Sequence, residues 1–406
     1  MKKFLKENYI LILILLLGFV LRFNGDLFVQ GYMFDELAMV SIAKTNFPIE
    51  IFKTISKLDY HAPLYYIIAH FFTYFKSEYS YLRLLNLIFF IFNIFIFYKI
   101  GKLLNSKRLG YFLALALAVS HIQIATVSFV KFYCLCFLLF SISVYYFIII
   151  IKKNKGYFAF GISNLFFILS ATLGGFIVFF EYLVLFFTLK LKEKKKLAKS
   201  FLIAFFGFIL YLPILISQTI NSFNNILSPH GNYVNFSILS AYNFLNDYFS
   251  PLINFCCNAE TISACGVLLG VISKPNLFSI MFLAFYSIIP VVLALFLIFK
   301  TVKNNRISKI LFMVSVLIFC FYIILSKLDI VGFIPIYIYP VGLILIILTF
   351  TSIEEIKNKK IKYFILIYLI LSQLTITNYY PIEKRNIDKA KIYQVFDVYF
   401  KEHDIK

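Results

Sequence analysis

"KFYCLCFLLFSISVYYFIIIIKKNKGYF", residues 131–158, carries one charge at its start and no other until Lys152. Wound at 1.5 Å per residue, such an uncharged run of about 20 residues is roughly 30 Å long, the thickness of a bilayer's hydrocarbon core. Apolar on every side and halted by a lysine cluster, it is a membrane span ended at a basic surface.

The rest of the chain repeats this alternation. Of its 406 residues 62% are hydrophobic, 20% aromatic and only 14% charged. A soluble fold could not hide that much phenylalanine and isoleucine, whereas lipid solvates them without cost. The apolar segments fall at 8–23, 84–98, 109–127, 132–151, 157–173, 174–189, 200–218, 276–299, 310–325, 333–352 and 361–378. The expected fold is therefore all-α and polytopic, with about 11 transmembrane helices. An odd count puts the termini on opposite sides.

The formal charge of +20 does not mark a nucleic-acid binder, because the cations form short runs between apolar segments rather than one basic face. With the N-terminus inside, the segments 1–7, 99–108, 152–156, 190–199, 300–309 and 353–362 are cytoplasmic and hold 24 of the 39 Lys and Arg residues. That asymmetry is the one expected of inner loops. "APLYYIIAHFFTYF" (62–75) is excluded from the spans: about 14 helical residues reach only about 21 Å. It is expected to lie at the outer interface within a first outer loop of about 24–83.

No small-residue cleavage site follows the first apolar run before Arg22, so that run is expected to remain as the first span. Its strictly apolar part, Tyr9 to Leu21, is short, which draws Glu7 or Arg22 to membrane depth. A transmembrane domain over 1–378 with a second large outer loop at about 219–275, followed by a short extracytoplasmic tail at 379–406, completes the layout. The Ile, Lys, Asn and Phe bias points to an AT-rich bacterial genome and hence to a bacterial inner membrane.

Cys134, Cys136 and Cys320 lie in spans and are expected to face lipid or pack, while Cys256, Cys257 and Cys265 fall in the second outer loop, where a disulfide from Cys265 to one of the adjacent pair is an open alternative. The five histidines lack metal-ligand spacing, so no metal site is expected from them, and a divalent-metal requirement stays open.

At the outer face the sparse charges gather. Arg22 ends the first span; Asp35-Glu36 follows in "GYMFDELAMV", then His61 in "YHAPLYY", then Glu78 and Arg83 in "SEYSYLRLLN", and Lys131 in the short turn "SFVKFY". This ordered set resembles the GT-C superfamily of polyprenyl-phosphate-sugar-dependent glycosyltransferases, in particular the protein O-mannosyltransferase and lipid A aminoarabinose transferase group. The likeness is clearest over about 15–150. Three positions depart from the group: His61-Ala62-Pro63 stands where two prolines are common, Lys131 where an Arg is common, and "GFIPIYIYPVGLIL" (332–345) lacks the usual Arg-Tyr pair. A lysine cannot make the planar two-pronged contact of a guanidinium, so the donor phosphate would be gripped differently here.

The resemblance implies transfer of a sugar from a polyprenyl-phosphate donor to an acceptor hydroxyl of a lipid, glycan or protein, with inversion. The phosphate leaves without a general acid but needs cations aimed at its growing charge, while one carboxylate takes the hydroxyl proton. Neighbouring acids diverge by about 100° on a helix, so Asp35 and Glu36 cannot flank one bond as a glycosidase pair does. The resemblance puts the catalytic base at Asp35, with capping of an interfacial helix that begins at Glu36 as its structural alternative. Glu36 is then a positioning group or a solvated first-turn acid.

Arg22, His61, Arg83 and Lys131 are candidate donor-phosphate groups; the competing roles are snorkelling for Arg22, loop hydrogen bonding for His61, bracing Glu78 for Arg83 and headgroup pairing for Lys131. Glu78 and Glu181 are candidate pocket residues. Glu181 sits near the centre of its span, where burial favours the protonated form and where a sugar-pocket wall, an interhelical bond to a Tyr or a proton relay are open. Rival readings are a transporter or flippase of lipid-linked saccharides, a polysaccharide polymerase or ligase, and a scaffolding subunit. A transporter would place its charges near the midplane in repeated or broken helices, and no repeat is visible.

The layout predicts that a cysteine placed at Ser77 is labelled by an impermeant thiol reagent from the outside of intact cells. Labelling only after the cytoplasmic side is opened would mean that 62–75 crosses the membrane.

Overall fold

A computed structural model describes residues 2–23, 34–58, 61–75, 79–120, 123, 126–127, 129–224, 289–327 and 339–374. Glu78, residues 225–275 of the second outer loop with its three cysteines, and the tail at 379–406 lie outside the described residues. So do the side chains of Asp35 and Leu37, although both belong to a described helix.

Among the described residues fourteen helices of ten residues or more follow one another. They are α1 (Lys2–Arg22), α2 (Phe34–Ala43), α3 (Ile49–Leu58), α4 (Leu64–Thr73), α5 (Tyr79–Leu104), α6 (Lys107–Val119) and α7 (Tyr133–Lys153), then α8 (Tyr157–Ile168), α9 (Gly174–Thr188), α10 (Leu191–Asn224), α11 (Ile289–Asn304), α12 (Arg306–Lys327), α13 (Tyr339–Glu354) and α14 (Lys359–Leu374). Each expected apolar segment overlaps a helix. Among the described residues four helices are long and apolar enough to cross a membrane, at Tyr81–Leu104, Tyr133–Lys153, Leu191–Ile220 and Arg306–Lys327, and shorter apolar helices accompany them. The stretch 62–75 forms its own ten-residue helix, α4, too short to cross a hydrocarbon core.

The described residues divide into two compact units, one drawn from Met1–Ile14, Phe97–Ile124 and Asn232–Tyr380, the other from Leu15–Ile96 and Ala125–Gly231. The first is organised around α13, whose residues are all buried. Apolar on every side, this helix is enclosed by α6, α11, α12 and α14. Its threonines return their hydroxyls to the helix itself, Thr349 to Leu345 O and Thr351 to Ile347 O. Glu354 ends α13, where a carboxylate meets the negative end of the helix dipole. Arg108 lies 2.6 Å from that carboxylate, and the Lys362 ammonium, 3.5 Å from it, also donates to the Glu354 carbonyl at 2.6 Å.

In the second unit α8 and α10 form the most extensive helix pair. Two glycines permit the close approach. A Cβ on Gly161 would fall 2.7 Å from Ser200 O, and one on Gly207 would fall 2.8 Å from Leu165 O. Ser200 also donates to Tyr157 O at 2.6 Å and meets the Tyr182 hydroxyl at 2.7 Å, linking α8, α9 and α10. Large apolar side chains such as Phe205, Phe206 and Leu210 stay exposed on α10, as expected of a surface facing lipid tails.

Gly207→Val should lower the thermal midpoint in detergent by several degrees, on the order of 1–3 kcal/mol of overpacking. Gly175→Ala is the control, because its Cβ would meet only Phe208 at an ordinary 3.7 Å. Equal melting of the two variants would show that backbone contact does not hold α8 to α10.

Candidate active site

The acid pair opens α2. The helix begins at Phe34, so the Asp35 backbone lies in its first turn rather than before it, and the capping alternative, which starts the helix at Glu36, is set two residues too late. Met39 and Val40, three and four residues after Glu36, are buried. Positions at those spacings share a helix face, so the apolar docking of α2 carries Glu36 inward with them. Glu36 is only 2% exposed.

A buried carboxylate needs partners. Arg83 Nη2 reaches both Glu36 oxygens, at 3.2 and 3.4 Å, and the Val130 backbone N–H donates to Oε1 at 2.7 Å. Arg83 belongs to a stripe on α5 that continues through Asn86, Phe90 and Asn93, all buried. The Asn86 amide donates to Phe129 O and accepts from the Tyr65 hydroxyl at 2.8 Å. Burial above all, then Cys134 and Glu36, holds the Tyr65 phenol well above its ordinary range, so it acts as a neutral donor.

Arg22, 3% exposed, lies with its guanidinium carbon 3.5 Å from the centroid of Phe90 on that same stripe and donates to Gly18 O at 3.2 Å. This is a cation–π contact out of water, not a side chain snorkelling to the surface. Cys134 and Cys136 are buried and pack, while Cys320 is exposed.

The turn before α7 gathers the remaining groups. Lys131 is half-buried, and its ammonium lies 5.8 Å from the Tyr133 ring centroid. Phe132 packs on the His61 imidazole, with ring centroids 4.6 Å apart. His61 is held from behind by α10: Gln218 donates to the His61 carbonyl at 3.1 Å and takes the Tyr211 hydroxyl at 3.0 Å.

Thus Arg22, Glu36, His61, Arg83 and Lys131 come together within one unit, around α5 and the turn at 129–132. Glu181 has a different neighbourhood. Its carboxyl takes the Ser143 hydroxyl at 2.7 Å beside Asn164, so the interhelical bond is made to a serine on α7 rather than to a tyrosine. Asn86, Tyr65 and Gln218 are site residues that carry no sequence signal of their own beyond being polar in apolar helices.

The described residues define an α-helical, multi-pass membrane protein with a buried charge cluster at the junction of α2, α5 and α7. Its fold is similar to that of solved structures of other proteins. The apo crystal structure of ArnT from Cupriavidus metallidurans matches with a TM-score of 0.53 at 14% identity, over 88% of this chain and 61% of the ArnT chain. An oligosaccharyltransferase from Archaeoglobus fulgidus matches with a TM-score of 0.53 at 13% identity, over 91% of this chain and 52% of its own. The chain therefore spans between half and two thirds of the length of these proteins. No protein-family model and no curated protein sequence matches it.

Removing one partner of the Glu36–Arg83 pair strands a buried charge. Arg83→Met should destabilise the protein by about 3–5 kcal/mol, and adding Glu36→Gln should restore more than half of that loss. Additive losses in detergent melts would show that the two side chains are not coupled.

Proposed function

We propose that this chain is a membrane glycosyltransferase that moves a sugar from a polyprenyl-phosphate donor to an acceptor hydroxyl at the outer face of a bacterial inner membrane. The observation that carries the reading is the meeting of the acid-pair helix with the turn bearing Lys131 and with the His61 block, in a protein whose fold is similar to that of ArnT. The eleven-span, N-in and C-out arrangement, with a 1–378 catalytic domain and a short outer tail, is part of this proposal.

In the proposed reaction the acceptor hydroxyl attacks the anomeric carbon, the bond from that carbon to the phosphate oxygen breaks, and the phosphate leaves with the electron pair. Configuration at that carbon inverts. Asp35 takes the hydroxyl proton. Glu36 is unsuited to that task, because its oxygens already receive Arg83 and the Val130 N–H. It serves as the positioning group of the pair.

Lys131 and His61, both only half-buried, are the groups best placed to meet the departing phosphate. Arg22 and Arg83, at 3% and 2% exposure, contribute positive potential from behind them. Glu78 remains a candidate pocket residue. Glu181, bonded to Ser143, is assigned to holding α9 against α7. The donor's polyprenyl chain would stay in lipid beside the exposed apolar helix faces.

Asp35→Asn should abolish transfer while leaving the detergent melt unchanged. The readout is mass spectrometry of envelope glycolipids and glycoproteins from cells carrying the wild type, the variant or neither. A product that persists with Asp35→Asn would remove Asp35 as the base, and identical profiles with and without the wild-type chain would overturn the glycosyltransferase reading.

A further inference from the structure

Phe129 O and Val130 N–H are the two polar edges of a single peptide unit, and two different helices grip them. Asn86 of α5 donates to the carbonyl, and Glu36 of α2 accepts the N–H at 2.7 Å. In a trans peptide these groups point in opposite directions, so together the two side chains fix both the position and the rotation of the plane. The same carbonyl also receives the Lys131 N–H at 2.8 Å, closing a tight turn on the residue before Lys131. Behind Asn86 stands Tyr65, whose hydroxyl donates to the amide oxygen at 2.8 Å and so leaves the amide nitrogen facing Phe129 O.

All four side-chain partners are out of water. Glu36, Tyr65, Arg83 and Asn86 are 2%, 0%, 2% and 0% exposed. Lys131, the next residue along, is only half-buried. The rigid part of the network therefore ends where the chain first offers a positive charge to solvent.

We propose that Asn86, aligned by Tyr65, is a positioning residue that sets the place of the Lys131 ammonium, and through Phe132 that of His61, for binding the phosphate of the lipid donor. This rests on the glycosyltransferase reading above. A lysine has a flexible four-carbon stem and a single compact charge, so its backbone must be fixed if the charge is to be fixed. Neither Asn86 nor Tyr65 touches the donor in this proposal. Both act through the peptide before Lys131.

The test uses the full-length protein in lipid nanodiscs, with a polyprenyl phosphate and the matching polyprenol as probes. Asn86→Ala should weaken binding of the phosphate by about tenfold, and Tyr65→Phe, which keeps the ring and removes one hydrogen bond, by about threefold. Affinity for the polyprenol should stay within about twofold of wild type in both, because an apolar chain bound in lipid does not sense the ammonium. In a Lys131→Ala background, Asn86→Ala should add less than about twofold, since residues in one network are not additive.

If Asn86→Ala does not fold, as judged by its melt, Tyr65→Phe alone carries the measurement. Wild-type phosphate affinity in both variants while Lys131→Ala loses it would overturn the positioning role and leave the donor reading standing. Equal weakening of phosphate and polyprenol would show a merely structural effect and overturn it as well. A wild type that does not prefer the phosphate to the polyprenol would overturn this proposal together with the function on which it rests.

Discussion

Lipid offers no hydrogen bonds, and a charge inside a membrane protein is tolerated only when the protein itself supplies partners. Glu36 is one of the points where this constraint acts in the second unit. At 2% exposure its carboxylate needs both a guanidinium and a backbone N–H, and it obtains them from Arg83 and Val130. Meeting that need brings α2, α5 and the turn before α7 to one place. A buried ion pair adds little net stability compared with an apolar pair, but breaking it by removing one partner is costly, so the pair ties the segments that carry it to one arrangement.

The same logic orders the neighbours. Arg22 lies over Phe90, and Phe90 is on the α5 stripe that also carries Arg83 and Asn86. One helix face thus presents an arginine, an amide and an aromatic ring at helical spacing to three separate chain segments. In the first unit Glu354 is handled alike: Arg108 and Lys362 close on it from α6 and α14. Buried acids in this chain serve as the points where helices are tied.

What the sequence disclosed follows from what makes a signal in it. Lysine runs and apolar runs mark the spans, because lipid and water select composition over whole segments, and so α7 and α12 fall where they are expected, while α10 contains its apolar segment but starts at Leu191, within the lysine run. Arg22, Glu36 and Arg83 were legible because a charge in an apolar chain is rare. Asn86, Tyr65 and Gln218 were not, since a neutral polar residue in a helix is ordinary and its role depends on a partner far along the chain, 43 residues away for the Asn86 bond and 157 for Gln218 with His61. The backbone N–H of Val130 has no sequence signature at all. The partner of Glu181 is hidden for the same reason, because a serine on α7 reads as a neutral residue in an apolar run.

The departure at Lys131 becomes intelligible in these terms. An arginine orients itself on a phosphate through its own planar fork, so the backbone beneath it can be loosely set. A lysine lacks that fork and must inherit direction from the chain. Here the preceding peptide is held on both edges, its carbonyl by Asn86 and its N–H by Glu36, while the following ring packs on His61. In the proposed reaction, precision that a guanidinium would carry in its side chain is thereby moved into the backbone, and Glu36, the acid assigned there to positioning, supplies it together with Asn86.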